Sequence, residues 1–254
     1  MTINSWGSAN PAEVAKGGTG LSTIPDGHIL LGSGTDPVTA LDVTAKGSIL
    51  VGDGTTDPIA LAVGSDDYVV TADSGETSGL KYKIKYPQWL SQIDTNGTPV
   101  SEMVFSSLDS TYNVYLFTFH NVVAQTDGVS FLVRTSTDGI TYDSSTGDYR
   151  YQYYDGGADR SSSSADQVQL ARDMGNAAGE QMFGYVSVHR PGLATRTTFT
   201  TELYQVDNVT GAVALVGGGN RTTAETTPYV KFTTSSGNFE GIVTMYGLVT
   251  EDQP

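Results

Sequence analysis

The chain has 254 residues, enough for one large or two small domains, and its hydrophobic fraction of 38% is a modest stock for a core. Thirteen basic against 28 acidic residues give a formal charge of -15, which repels nucleic acid and anionic membrane surfaces. The absence of cysteine excludes disulfides, thiol nucleophiles and thiolate metal sites.

The opening "MTINSWGSANPAEVAKGG" has neither a basic nor an apolar signal-peptide region, and no window approaches the ~20 apolar residues of a membrane-spanning helix. No membrane insertion is expected. Residues 14–21, "VAKGGTGL", resemble a phosphate loop only in composition. A nucleotide-binding loop places its lysine after the glycines, between a strand and a helix whose N-terminus cradles phosphate. Here Lys16 precedes Gly17 and Gly18, Gly20 is followed by no third glycine at dinucleotide-fold spacing, and Ile24-Pro25 opposes a helix. No nucleotide or other cofactor is expected.

A repeat follows. "GHILLGSGTDPVTAL" begins at Gly27 and "GSILVGDGTTDPIAL" at Gly47, each with an apolar run, a glycine turn, an Asp-Pro pair and a second apolar run. A degraded third copy starts at Asp67. Each copy predicts strand, turn, strand. One such hairpin cannot bury its own apolar face, so it needs stacked neighbours or identical copies from other chains. Two and a half copies are too few for stacking alone. Residues 27–86 are therefore expected to form a short β-repeat stalk in a homotrimer.

Beyond it, the repeat stops. Residues 112–120 alternate with a period of two, placing Tyr115, Phe117 and Phe119 on one face and apolar residues on the other as well, the pattern of a central strand. Similar runs occur at 129–136, 148–154, 180–190, 197–207, 211–217, 227–234 and 239–249, separated by turn residues such as Thr137-Asp138-Gly139 and Asp155-Gly156-Gly157. About eight antiparallel strands fit a jelly-roll-like β-sandwich over residues 87–254. A short helical turn is expected at "PVSEMVFSSL", with Met103 and Phe105 covering one end.

The chemistry-bearing residues are few. His28, His120 and His189 lie far apart with no ligand spacing, and no Gly-x-Ser-x-Gly elbow is present. The richest stretch is "DYRYQYYDGGADRSSSSAD", where Tyr151, Tyr153 and Tyr154 adjoin Asp155 and Arg160. Tyrosine rings stack on sugar faces or bury at interfaces, so ligand contact and subunit packing both remain open.

The segment "SWGSANPAEVAKGGTGLSTIPDGHILLGSGT" resembles the start of many tailed-bacteriophage fibre proteins, in which a leader precedes glycine-punctuated apolar repeats. "RDMGNAAGEQMFGYVSV" and "YVKFTTSSGNFEGIVTMYGLV" are similar to segments of sandwich domains on such fibres. The resemblance implies a non-enzymatic virion-surface protein. Its residues 1–26 would anchor it to capsid or tail proteins through Trp6, Pro11, Val14 and Lys16, and its trimeric head would face a host-surface glycan. Residues 175–179 would then be a connection and Ser235 to Asn238 the turn before the last strand. The stalk is shorter than those of long tail fibres, so a head fibre or capsid decoration protein is the alternative. A polysaccharide-degrading enzyme, with paired carboxylates drawn from the 28 acids, is the minor one.

Overall fold

The computed structural model describes residues 18–206 and 211–249. The residues expected to anchor the chain, Trp6, Pro11, Val14 and Lys16, lie outside that range. The described chain is all-β and antiparallel, and it divides between Lys85 and Tyr86 into two units.

The first unit holds three hairpins. Strand β1 (His28–Leu31) pairs with β2 (Thr39–Asp42), β3 (Ile49–Val51) with β4 (Ile59–Leu61), and β5 (Tyr68–Ala72) with β6 (Leu80–Ile84). Each pairing is joined by a seven-residue connection, at 32–38, 52–58 and 73–79. The twenty-residue spacing is written into the backbone. Gly27, Gly47 and Asp67 take φ of 74°, 81° and 66° immediately before or at the entrance to β1, β3 and β5. The third copy thus keeps the left-handed entry that glycine adopts freely, using aspartate, one of the few side chains that tolerate it. Asp53 and Asp73 close their connections by accepting backbone N–H bonds from Thr55 and Gly75, both at 2.9 Å.

No described side chain of residues 18–85 is fully buried. Ile29 and Leu30, Ile49 and Leu50, and Val69 and Val70 stand at the same phase of the repeat and are 39–47% exposed. Neighbours along a strand point to opposite faces, so every hairpin presents apolar surface on both sides.

The second unit is a sandwich of two unequal antiparallel sheets. The larger runs β12-β11-β16-β15-β14-β9-β18-β7 and the smaller β13-β10-β17-β8. Their ranges are β7 Gln88–Asp94, β8 Glu102–Phe105, β9 Val114–Ala124, β10 Val129–Ser136, β11 Tyr149–Tyr154 and β12 Asp159–Ala165. The rest are β13 Val168–Met174, β14 Met182–His189, β15 Thr198–Val206, β16 Ala212–Arg221, β17 Tyr229–Thr234 and β18 Phe239–Leu248.

Strand β9 lies between β14 and β18, and its Tyr115, Phe117 and Phe119 are wholly buried. Across from them Phe232 of β17 takes edge contacts from Phe105, Phe117 and Phe119 and stacks on Phe131, at centroid distances of 5.1–6.2 Å. These rings join the two sheets, and their mutual geometry adds to the area they bury. The connection at 175–179 and the turn at 235–238 fall between β13 and β14 and before β18.

The helical turn expected around Met103 is instead strand β8. Met103 and Phe105 are buried while Glu102 and Val104 are exposed, a period of two that pairs with β17. Four strands beyond the eight apolar runs, β7, β8, β12 and β13, complete the sheets.

Candidate functional site

Strands β11 and β12 form a hairpin whose two-residue turn is Gly156-Gly157. Asp155 and Ala158 close it, with the Asp155 N–H donating to the Ala158 carbonyl at 3.2 Å. Gly156 has φ of 72°, the sign that a II′ hairpin turn requires at its first central position. The turn holds Asp155 at the end of β11, two residues beyond the buried Tyr153.

Asp155 is 8% exposed and lies against two cations. Its Oδ2 accepts from Arg160 Nε at 2.8 Å and from Arg172 Nε at 2.5 Å, and its Oδ1 accepts from the Ala158 N–H at 3.2 Å. Arg172 also donates through Nη1 to Asp173. Burial alone would raise the Asp155 pKa, but the hydrogen bonds from Arg160 and Arg172 outweigh it and hold the carboxyl at about 2. Gln205 of β15 is buried, and its Nε2 donates to the Arg172 carbonyl at 2.6 Å, fixing that part of β13.

These groups line a cleft of about 330 Å³, whose other walls are Gly156, Gly157, Ala212, Val213 and Leu215. One wall is therefore apolar, from β16, and the other is a guanidinium pair oriented by one buried carboxylate.

Of the residues singled out from the sequence, Asp155 and Arg160 come together here. The tyrosines do not join them. Tyr153 is 2% exposed with its ring in the core, so it cannot stack on a ligand. Its hydroxyl has no hydrogen-bond partner, and burial raises its pKa. Tyr151 is half-buried, donates to Gln169 Oε1 at 3.0 Å and faces serine-lined hollows instead. Tyr154 is half-exposed on the opposite side of β11 from Tyr153. The residues missed by sequence reasoning are Arg172, Gln205 and Val213. They reach Asp155 only through the pairing of strands distant in the chain, and nothing in their local sequence marks them.

Two other places gather comparable groups. A larger cleft of about 600 Å³ lies between edge strands β7 and β8, lined by Leu90, Ile93, Val104, Tyr112 and Met245. Its carboxylate, Asp109, is already occupied by the Thr111 N–H at 2.8 Å and the Tyr115 hydroxyl at 3.1 Å. Arg221, 4% exposed, sits among Asp143 at 3.0 Å, Asp148 at 3.6 Å and Glu225, with its guanidinium 5.5 Å from the Tyr149 ring centre. That cluster clasps the segment after β10 to the end of β16. Among the described residues, no group of three His, Asp or Glu side chains is placed to hold a metal ion.

No family model matches the chain, and no solved structure matches it. It is similar to the "Uncharacterized protein 261R" of Invertebrate iridescent virus 6, 58% identical over 38 residues, which is 15% of this chain. The similarity spans 3% of that viral protein's length.

Proposed function

We propose that the chain is a virion-surface fibre protein that assembles as a trimer through residues 27–86 and uses its sandwich to attach to a host-surface glycan. The observation that carries this reading is the first unit's surface. Three hairpins repeat with a twenty-residue period, no described side chain among them is fully buried, and six aliphatic side chains lie 39–47% exposed at equivalent positions. A solitary chain has no use for such a stripe on both faces, whereas three copies packed together convert it into a core. Similarity to a viral protein over a short segment agrees with this reading.

The cleft supports binding rather than hydrolysis. A catalytic acid at a glycosidic bond needs a raised pKa, whereas Asp155 is held at about 2 by two arginines. Threefold repetition of a weak site would raise avidity wherever glycans are spaced within reach. Capsid decoration is the second reading, favoured by the brevity of a stalk with only three described hairpins.

Gold-labelled antibody on intact particles separates the two, since a tail fibre labels the tail and a decoration protein labels the shell uniformly. Sedimentation of the purified chain at micromolar concentration tests the assembly, and a monomer there refutes it. Purified intact protein competes with infection only under the attachment reading. Release of reducing sugar from host envelope polysaccharide would instead establish an enzyme.

A further inference from the structure

We infer that the cleft at the β11–β12 turn binds an acidic saccharide, a sugar ring carrying a carboxylate, with Arg160 and Arg172 gripping the carboxylate and the β16 wall packing against the ring. This inference takes from the attachment reading only that the ligand is a glycan.

The hydrogen-bonding capacity left in the cleft selects the class. Asp155 has about one of its four acceptor positions left, because Oδ2 already accepts two guanidinium bonds and Oδ1 a backbone one. It has little left to offer a sugar hydroxyl that must donate. The arginines are the reverse. Asp155 engages only the Nε of Arg160, whose two terminal nitrogens have no hydrogen-bond partner among the described residues. Arg172 spends Nε and Nη1 on Asp155 and Asp173 and keeps Nη2. The surplus is thus in donors, a whole terminal fork on Arg160 whose geometry matches a carboxylate and one further nitrogen on Arg172.

Both guanidiniums are anchored through Nε to a nearly buried carboxylate, so their terminal edges are oriented before any ligand arrives. That preorganisation lowers the entropy cost of binding. Ala212, the accessible edge of Val213 and the Gly156-Gly157 turn offer a limited apolar surface for a sugar's C–H face, with Leu215 wholly buried behind them. The volume of about 330 Å³ is at the lower end of ligand sites and suits one or two rings. The chain's net charge of -15 opposes an anionic ligand at long range, but that repulsion is screened beyond about 8 Å at physiological ionic strength, where contact with the forks takes over.

The test uses the intact chain with galacturonate, N-acetylneuraminate, galactose and acetate as probes, read by calorimetry and by ligand-observed saturation-transfer NMR. Both acidic sugars are expected to bind, with galactose and acetate each weaker by about tenfold or more. Arg160→Gln should lower acidic-sugar affinity about tenfold, and Arg160→Lys should recover only part of it, because an ammonium keeps the charge but not the fork. Arg172 still compensates Asp155 in both variants, and circular dichroism checks their folding. Gly157→Trp, at a cleft-lining position where an added side chain meets nothing within 4 Å, should crowd the cleft and lower binding about tenfold without touching the charges, and serves if the arginine variants misfold.

Galactose binding as tightly as galacturonate, acetate binding as tightly as the sugars, or affinities unchanged in Arg160→Gln and Gly157→Trp would each overturn the inference. If no acidic sugar binds while the intact protein still blocks infection, the site assignment falls and the attachment reading stands. If acidic sugars bind as described and infection is not blocked, the site stands and the attachment reading falls.

Discussion

Leu50→Asp is the sharpest test of the exposed stripe. Leu50 belongs to β3 and keeps 47% of its surface exposed in the single chain. Complete burial of a leucine contributes about 1.5–3 kcal/mol, so covering the remaining half would add about 1 kcal/mol per chain and about 3 kcal/mol per trimer. The aspartate forfeits this and adds a desolvation cost of several kcal/mol for each ion carried into the interface. The trimer should therefore lose on the order of 10 kcal/mol from this one position, about seven decades in the assembly constant at 1.4 kcal/mol each. In an isolated chain the same exposed substitution should cost no more than about 0.5 kcal/mol. Sedimentation velocity across a micromolar range reads the difference, with Thr35→Asp in the first connection as a control that assembles normally. A Leu50→Asp protein that sediments as the parent does would show that the stripe is not an interface.

Three further outcomes follow from the sandwich. Arg221→Met should destabilise it by about 3–5 kcal/mol at neutral pH in urea unfolding, since Asp143, Asp148 and Glu225 lose their shared cation. Burial already raises the Asp143 pKa against the pull of Arg221, so the variant's folded state holds a proton that its unfolded state releases. Its deficit should narrow as pH falls through the carboxylate range. Asp155→Asn should show the same narrowing at low pH, but because the parent loses stability rather than because the variant gains it. The parent's carboxyl is depressed to about 2, so the stability it contributes is complete above the ordinary value of ~3.9 and disappears as pH falls toward 2, where urea midpoints of the two proteins should converge. Phe232→Ala removes the ring that touches Phe105, Phe117, Phe119 and Phe131 and should cost about 3–5 kcal/mol, seen as a lowered thermal midpoint.

The strands that bury one face were readable because their residues alternate. In β9 the aromatic side of the alternation is the buried side, as its pattern requires. In β11 the same alternation groups Tyr149, Tyr151 and Tyr153 correctly, but a period of two does not say which face meets the core, and two of these rings are buried. Strand β12, "DRSSSSA", carries almost no apolar signal, and it exists because β11 offers it a hydrogen-bonding edge. The segment around Met103 is four residues of strand, too short for either periodicity to decide alone. The cleft was half legible. Asp155 and Arg160 are five residues apart and meet across one hairpin, whereas Arg172 and Gln205 arrive from β13 and β15 by register, a property of pairing rather than of any local stretch.

Strand pairing in the first unit closes within each hairpin, β1 with β2, β3 with β4 and β5 with β6, and the left-handed entry recurs at 27, 47 and 67. A twenty-residue block can therefore be duplicated or lost without leaving a strand unpaired or shifting any pairing elsewhere. Recombination between the related stretches at Gly27 and Gly47 would lengthen or shorten the first unit in whole steps, leaving the sandwich and its cleft intact.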